Sequence, residues 1–143
     1  MDALAELLAD DPFSASRGDV AAASDRQVYL HALQEILREP SNELLIGVDT
    51  TGVPVAMMQL TRIPGMGRRG TTRLLIEAVH VRTDRRSSGI GGAMMRWATG
   101  QAAASLGVGL VELTSDAARA DAHRFYERLG FAPSHVGFKY RTR

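Results

Sequence analysis

Val81-Arg82-Thr83-Asp84-Arg85-Arg86-Ser87-Ser88-Gly89-Ile90-Gly91-Gly92-Ala93-Met94-Met95 follows a mostly apolar run that begins at Leu74. Arginines fill its first half, glycines its second, and helical spacing starts directly afterwards. The order is strand, turn and helix N-terminus. The first turn of a helix leaves N–H groups unpaired at the positive end of the dipole, so an anion placed there is stabilised. Gly89, Gly91 and Gly92 remove Cβ atoms that would keep a ligand off the backbone, and Arg82, Arg85 and Arg86 add mobile positive charge. The stretch reads as a diphosphate cradle.

Two familiar phosphate loops do not fit. A Walker A loop ends in Gly-Lys-Ser/Thr, and no lysine is present here; the dinucleotide fingerprint needs a glycine where Met94 stands. Arg86-x-x-Gly89-x-Gly91 instead resembles the Q/R-x-x-G-x-G/A loop of the GNAT superfamily of N-acetyltransferases. Downstream, Ala122-His123-Arg124-Phe125-Tyr126-Glu127-Arg128-Leu129-Gly130-Phe131 is similar to that superfamily's A-x-x-F-Y-x-x-x-G-F segment. The resemblance covers residues 74–135 closely and the preceding hairpin more loosely.

It implies an α/β (α+β sandwich) fold with a mixed, mostly antiparallel splayed sheet flanked by helices, the GNAT-like acyl-CoA N-acyltransferase fold. It also implies acetyl-CoA as cosubstrate, wedged where the strands at 74–81 and 108–115 part. A splayed strand edge leaves amides and carbonyls unpaired, and the two amides of pantetheine can complete them. The resemblance assigns the diphosphate to Arg86, Ser87, Ser88, Gly89, Ile90, Gly91, Gly92 and Ala93, and the pantetheine to Val79, His80 and Val81. It predicts no metal.

A chain of 143 residues, 45% apolar, makes a single domain with a full core. The net charge of +1 gives no electrostatic argument for nucleic acid or an anionic membrane. No cysteine means no thiol nucleophile, disulfide or cysteine-bound zinc. No run approaches the length of a membrane span, and the acidic start lacks a signal peptide's basic residues, so the expected location is the cytoplasm. Abundant alanine and arginine point to a bacterial source.

In chain order, Leu4, Leu7 and Leu8 predict a short helix ended by Pro12. Ser24-x-x-Gln27 reads as a capping box for a helix with the stripe Tyr29, Leu30, Leu33, Ile36 and Leu37, stopped at Pro40. Leu44 to Val48 and Val53 to Thr61 predict a hairpin, and residues 64–70 a flexible tip before a strand from Thr72 to Val81. Met94, Ala98, Ala102 and Leu106 predict a helix closed by Gly107, then a strand from Val108 to Thr114. A helix carrying Ala122, Phe125, Tyr126 and Leu129 precedes one or two last strands in residues 131–135 and 136–141.

The implied reaction is direct attack of a primary amine on the thioester, through a tetrahedral intermediate, on a small molecule or peptide acceptor. An amine of pKa ~10 arrives protonated and needs a base. Glu77 interrupts an apolar strand where burial should raise its pKa, and strand parity places it beside Val79 and Val81 unless a bulge intervenes. His80, on the opposite face by the same parity, is the competing base and otherwise a packing residue. Tyr126 matches the family's general acid for the departing thiolate, its alternative being a core-edge tyrosine. The resemblance suggests a backbone N–H near Val79 for the oxyanion. His31, His123 and His135 have no metal-binding spacing.

The sequence departs from the family in two places. Arg119 stands where many members carry an asparagine that bonds pantetheine, and the chain opens inside the first helix without the usual first strand. The strand at Leu44–Val48 is then expected to have an open edge or one filled by another subunit in a homodimer. The alternative function is a non-catalytic CoA-binding or regulatory module of the same fold.

Overall fold

The computed structural model describes residues 1–19 and 21–143. Helix α1 (Asp2–Ala9) buries Leu4, Ala5 and Leu7, the residues that its helical spacing aligns on one stripe. Pro12 opens a further short helix, α2 (Pro12–Ser16), in which Asp11 is the N-cap and accepts a bond from the Ser14 N–H at 2.9 Å. Helix α3 (Arg26–Arg38) follows a 3-10 turn at Ala23–Asp25; its N-cap is Asp25, without a side-chain cap, so the expected Ser24 capping box does not form. Leu33 joins the core, whereas Leu37 is exposed.

Strands β1 (Asn42–Val48), β2 (Pro54–Ile63), β3 (Arg73–Val81) and β4 (Leu110–Leu113) form one sheet in the order β1-β2-β3-β4. The first two pairs are antiparallel and β3–β4 is parallel. Helix α4 starts at Ile90–Trp97, widens into a π-helical turn at Ala98–Ala102, ends at Ala103–Leu106, and is closed by Gly107 at φ +65°. Helix α5 is Ala120–Arg128. On one sheet face Met58, Leu60, Leu74 and Ile76 pack with Met94, Met95 and Ala98 of α4, with Phe125, Tyr126 and Leu129 at the margin. On the other, Met57 packs with Leu4 and Leu7. Helices therefore cover both faces of a mixed sheet, as expected.

Two expectations fail. Residues 131–143 form no strand: among the described residues their main-chain bonds are local, Phe131 N–H to Tyr126 O and Ser134 N–H to Ala132 O, and none joins them to the sheet. The tip holds a one-turn segment, Gly67–Gly70, whose Arg68 and Arg69 take left-handed backbone at φ 52° and 58°. Strand β4 is confined to four residues. As expected, no strand precedes β1 among the described residues, and its outer edge is unpaired, with Ile46 and Val48 exposed. Among the described residues no helix is long and apolar enough to cross a membrane.

Candidate active site

The β2–β3 register jumps: Gln59 faces Glu77 and Met57 faces His80, so Met58 opposes both Ala78 and Val79. This is a β-bulge, and Ala78 takes φ +50° to make it. The extra residue reverses the alternation of side chains. Glu77 and His80, opposite Gln59 and Met57, share the α1 face, while Val79 and Val81 join the α4 face beyond Ile76. The parity expected for Glu77 is thereby overturned. Glu77 is also exposed, so the burial invoked for it is absent. His80 is 8% exposed, and burial pushes its imidazole below the ordinary 6.5, with the Asp11 carboxylate opposing.

Strands β3 and β4 pair only from Arg73↔Leu110 to Ile76↔Leu113. Beyond that point β3 runs on to Val81 with its β4-facing edge open. Two residues past β4, the Ser115 hydroxyl is buried without a hydrogen-bond partner. An orphaned buried hydroxyl costs about 1–3 kcal/mol, which a ligand amide threading the gap would offset.

The loop after β3 is the candidate anion site. Ser87 at φ 63° and Gly89 at φ 87° bend the chain so that successive amides converge. The Ala93 N–H bonds Gly89 O at 3.0 Å, but among the described residues the N–H groups from Ser87 through Gly92 have no acceptor. Ser88 Oγ donates to Arg85 O and fixes the turn. A Cβ on Gly91 would lie 3.5 Å from Phe125 Cζ and 3.8 Å from Val81 Cγ2. Both are ordinary van der Waals distances, so Gly91 faces Phe125 and Val81 in the packed interior and an alanine there would fit. Gly89 faces open space.

The arginines are engaged rather than idle. Arg82 pairs with Asp84 at 2.6 Å and Arg85 with Asp49 at 3.4 Å. Arg86 donates to Val81 O at 3.2 Å, with its guanidinium 4.0 Å from Asp11. Asp11, 2% exposed, also lies 3.8 Å from Arg119, which stacks on Phe13 at 5.2 Å. Burial pushes the Asp11 carboxyl up, but the Ser14 N–H and the Arg119 charge outweigh it and hold the group below 3.8. Asp10 accepts from the Thr83 hydroxyl at 2.6 Å and the Thr83 N–H at 2.8 Å, which lower its pKa. The α1–α2 junction is thus bolted to the loop. Reading Pro12 only as a helix stop hid this; Asp11-Pro12, an N-cap before an N1 proline, was the available signal.

Tyr126 stacks edge-on with Phe125 at 5.2 Å and Phe131 at 5.9 Å. Burial pushes its phenol above 10.0, with Arg119 opposing, so it remains a proton donor. Its hydroxyl has no hydrogen-bond partner among the described residues.

The acetyltransferase (GNAT) family profile matches residues 1–131. This chain belongs to the GNAT family. The GNAT chemistry is acetyl transfer, with acetyl-CoA as cosubstrate. A transcriptional regulator from Bacillus halodurans C-125 is 34% identical, with a TM-score of 0.91, over 98% of this chain and 91% of that one. A Trypanosoma brucei acetyltransferase (23% identity, TM-score 0.76, 97% and 90% covered) shares the fold. So does glucosamine-6-phosphate N-acetyltransferase from Arabidopsis thaliana (17%, 0.76, 97% and 88%). A search of curated proteins finds no match. For this GNAT chain the open amides, the parted strands and the unpaired Ser115 hydroxyl fit the acyl carrier.

Proposed function

We propose that this protein is an N-acetyltransferase that moves acetyl from acetyl-CoA to a primary amine of a small molecule or peptide by direct attack. The observation that carries the reading is the run of amides from Ser87 through Gly92, without an acceptor among the described residues, beside the open edge of β3. Those amides and Arg86 would hold the diphosphate, and the edge around Val79, His80 and Val81 the pantetheine, with Ser115 as a further partner. The bound thioester supplies an activated acetyl carbonyl.

The chain's own residues do the rest. The bulge at Ala78 and Val79 interrupts the regular register, and there the Val79 amide would donate to a developing oxyanion. Glu77, on the solvent side, accepts the amine proton, directly or through water. Tyr126, kept protonated, donates to the sulfur as the tetrahedral intermediate collapses. The acceptor would arrive from the α1 face, and the cytoplasm is its expected setting.

Calorimetric titration with acetyl-CoA, paired with an amine panel read by release of free coenzyme A, tests this. Micromolar binding and turnover of one amine are expected, with Gly89→Ala weakening binding about tenfold, because alanine strains the left-handed position and shifts the amides. Absence of binding would sink the proposal. Binding without turnover would favour a coenzyme-sensing regulatory module, a reading favoured by the transcriptional regulator with which this chain shares 34% identity.

A further inference from the structure

Glu77 lies directly opposite Gln59, its register partner on β2. Residues opposite one another on neighbouring strands point to the same face with Cβ atoms roughly 5 Å apart, so the two side chains are neighbours. Glu77 is exposed and Gln59 half-buried, so one end of the pair meets solvent and the other is set into the sheet.

The Gln59 amide is held in one orientation. Asn42 on β1 accepts the Gln59 Nε2–H at 2.9 Å and the Thr61 hydroxyl at 2.9 Å on the same oxygen, Oδ1. A carbonyl oxygen has two lone pairs, and both are thereby filled. With its NH2 group committed to β1, Gln59 keeps its Oε1 for something else. Among the described residues neither that oxygen nor the Glu77 carboxylate has a hydrogen-bond or ion-pair partner. The arginine of β3, Arg73, is taken by Glu112 at 2.7 Å. Two acceptor groups without donors therefore stand together on the face from which the amine would arrive.

We propose that Gln59 and Glu77 form an amine-recognition pair that selects acceptors whose protonated nitrogen carries at least two hydrogens. Its purpose rests on the acetyl-transfer reading, whereas its test does not. An alkylammonium presents several N–H donors and no acceptor, which matches a site made of acceptors alone. As Glu77 takes one proton from the ammonium, Gln59 keeps a second N–H engaged, so the nitrogen stays placed while its lone pair is released for attack. A hydroxyl has a single O–H and serves only one of the two groups, which disfavours alcohols. A tertiary ammonium likewise leaves one acceptor unpaired.

The test uses two probes of equal charge, n-butylammonium and dimethyl-n-butylammonium, titrated into the isotope-labelled full chain near pH 7, where both are protonated, and followed by NMR. n-Butylammonium is expected to move the Gln59 side-chain amide and Glu77 backbone signals and to bind about tenfold more tightly than its dimethyl counterpart, the effect of one charge-assisted hydrogen bond. Gln59→Met keeps the side-chain length without the acceptor, and the preference is expected to fall below about threefold. Gln59→Glu, which keeps an acceptor oxygen at the same reach, is expected to retain it. Equal affinities in the wild type, a preference that survives Gln59→Met, one that is lost in Gln59→Glu, or signals that move only elsewhere would overturn the proposal. Selective binding without acetyl transfer would leave the amine pair standing and remove the acetyltransferase reading. Acetyl transfer without selectivity would do the reverse.

Discussion

Glu77 and His80 project from the same face of β3 although three residues separate them, because the bulge at Ala78 and Val79 inserts one residue into the alternation. The two candidate bases therefore look toward the same side of the sheet, one exposed and one buried beside Asp11. Glu77→Gln is expected to lower kcat about 100-fold near neutral pH, with a gap that narrows as pH approaches the acceptor's own pKa of ~10. His80→Gln is expected to stay within about threefold of wild type. Steady-state pH–rate profiles separate them, and the reverse pattern would transfer the base role to His80.

Tyr126→Phe is expected to cost about 100-fold in kcat and to leave coenzyme affinity alone. Because the hydroxyl has no partner among the described residues while the ring packs with Phe125 and Phe131, the variant should melt within a few degrees of wild type. Pre-steady-state acetyl transfer is the decisive measurement. A wild-type rate would remove Tyr126 from the chemistry.

Ser115→Ala is expected to separate stability from binding. Removing a buried, unpaired hydroxyl should leave the melting temperature unchanged or raise it. Loss of one hydrogen bond to the coenzyme arm should weaken its affinity about fivefold, roughly 1 kcal/mol. Thermal melts and titration calorimetry on one sample read both. Unchanged affinity would show that the hydroxyl is a packing flaw.

Stability should fall in two steps as pH drops. His80 has a lowered folded pKa, so below 6.5 the unfolded chain binds more protons than the folded one, and stability is lost as pH falls through the folded value. Asp10 and Asp11 also have lowered folded pKa values; their contribution is present above 3.8 and lost as pH falls through the lower folded values. Asp11→Asn should diminish the acid step and lower stability at pH 7, since it uncouples Arg86 and Arg119 from α2. Urea unfolding across this range checks both, and a flat profile in wild type would contradict the assignment.

The glycine loop was legible because its chemistry is written in residue types: arginines, then glycines, then helical spacing. The bulge was not, because Ala78 adopts a left-handed conformation without the glycine that would announce it. The one or two last strands expected in residues 131–135 and 136–141 do not form, because a sequence pattern reports propensity and says nothing of a partner. The exposed position of Glu77 was missed for a related reason: an apolar run predicts two covered faces, and at Glu77 one face is exposed. Arg119 departs from the family's asparagine to hold Asp11 and Phe13, a tertiary role that no local spacing encodes.

The bond from the Thr83 amide to Asp10 spans 73 positions. During synthesis the amino-terminal helices emerge long before the loop they anchor, and closure over such a distance is slow relative to local helix formation. Competence to take up a ligand is therefore acquired late, when the earliest-made part of the polypeptide and one of its later parts finally meet.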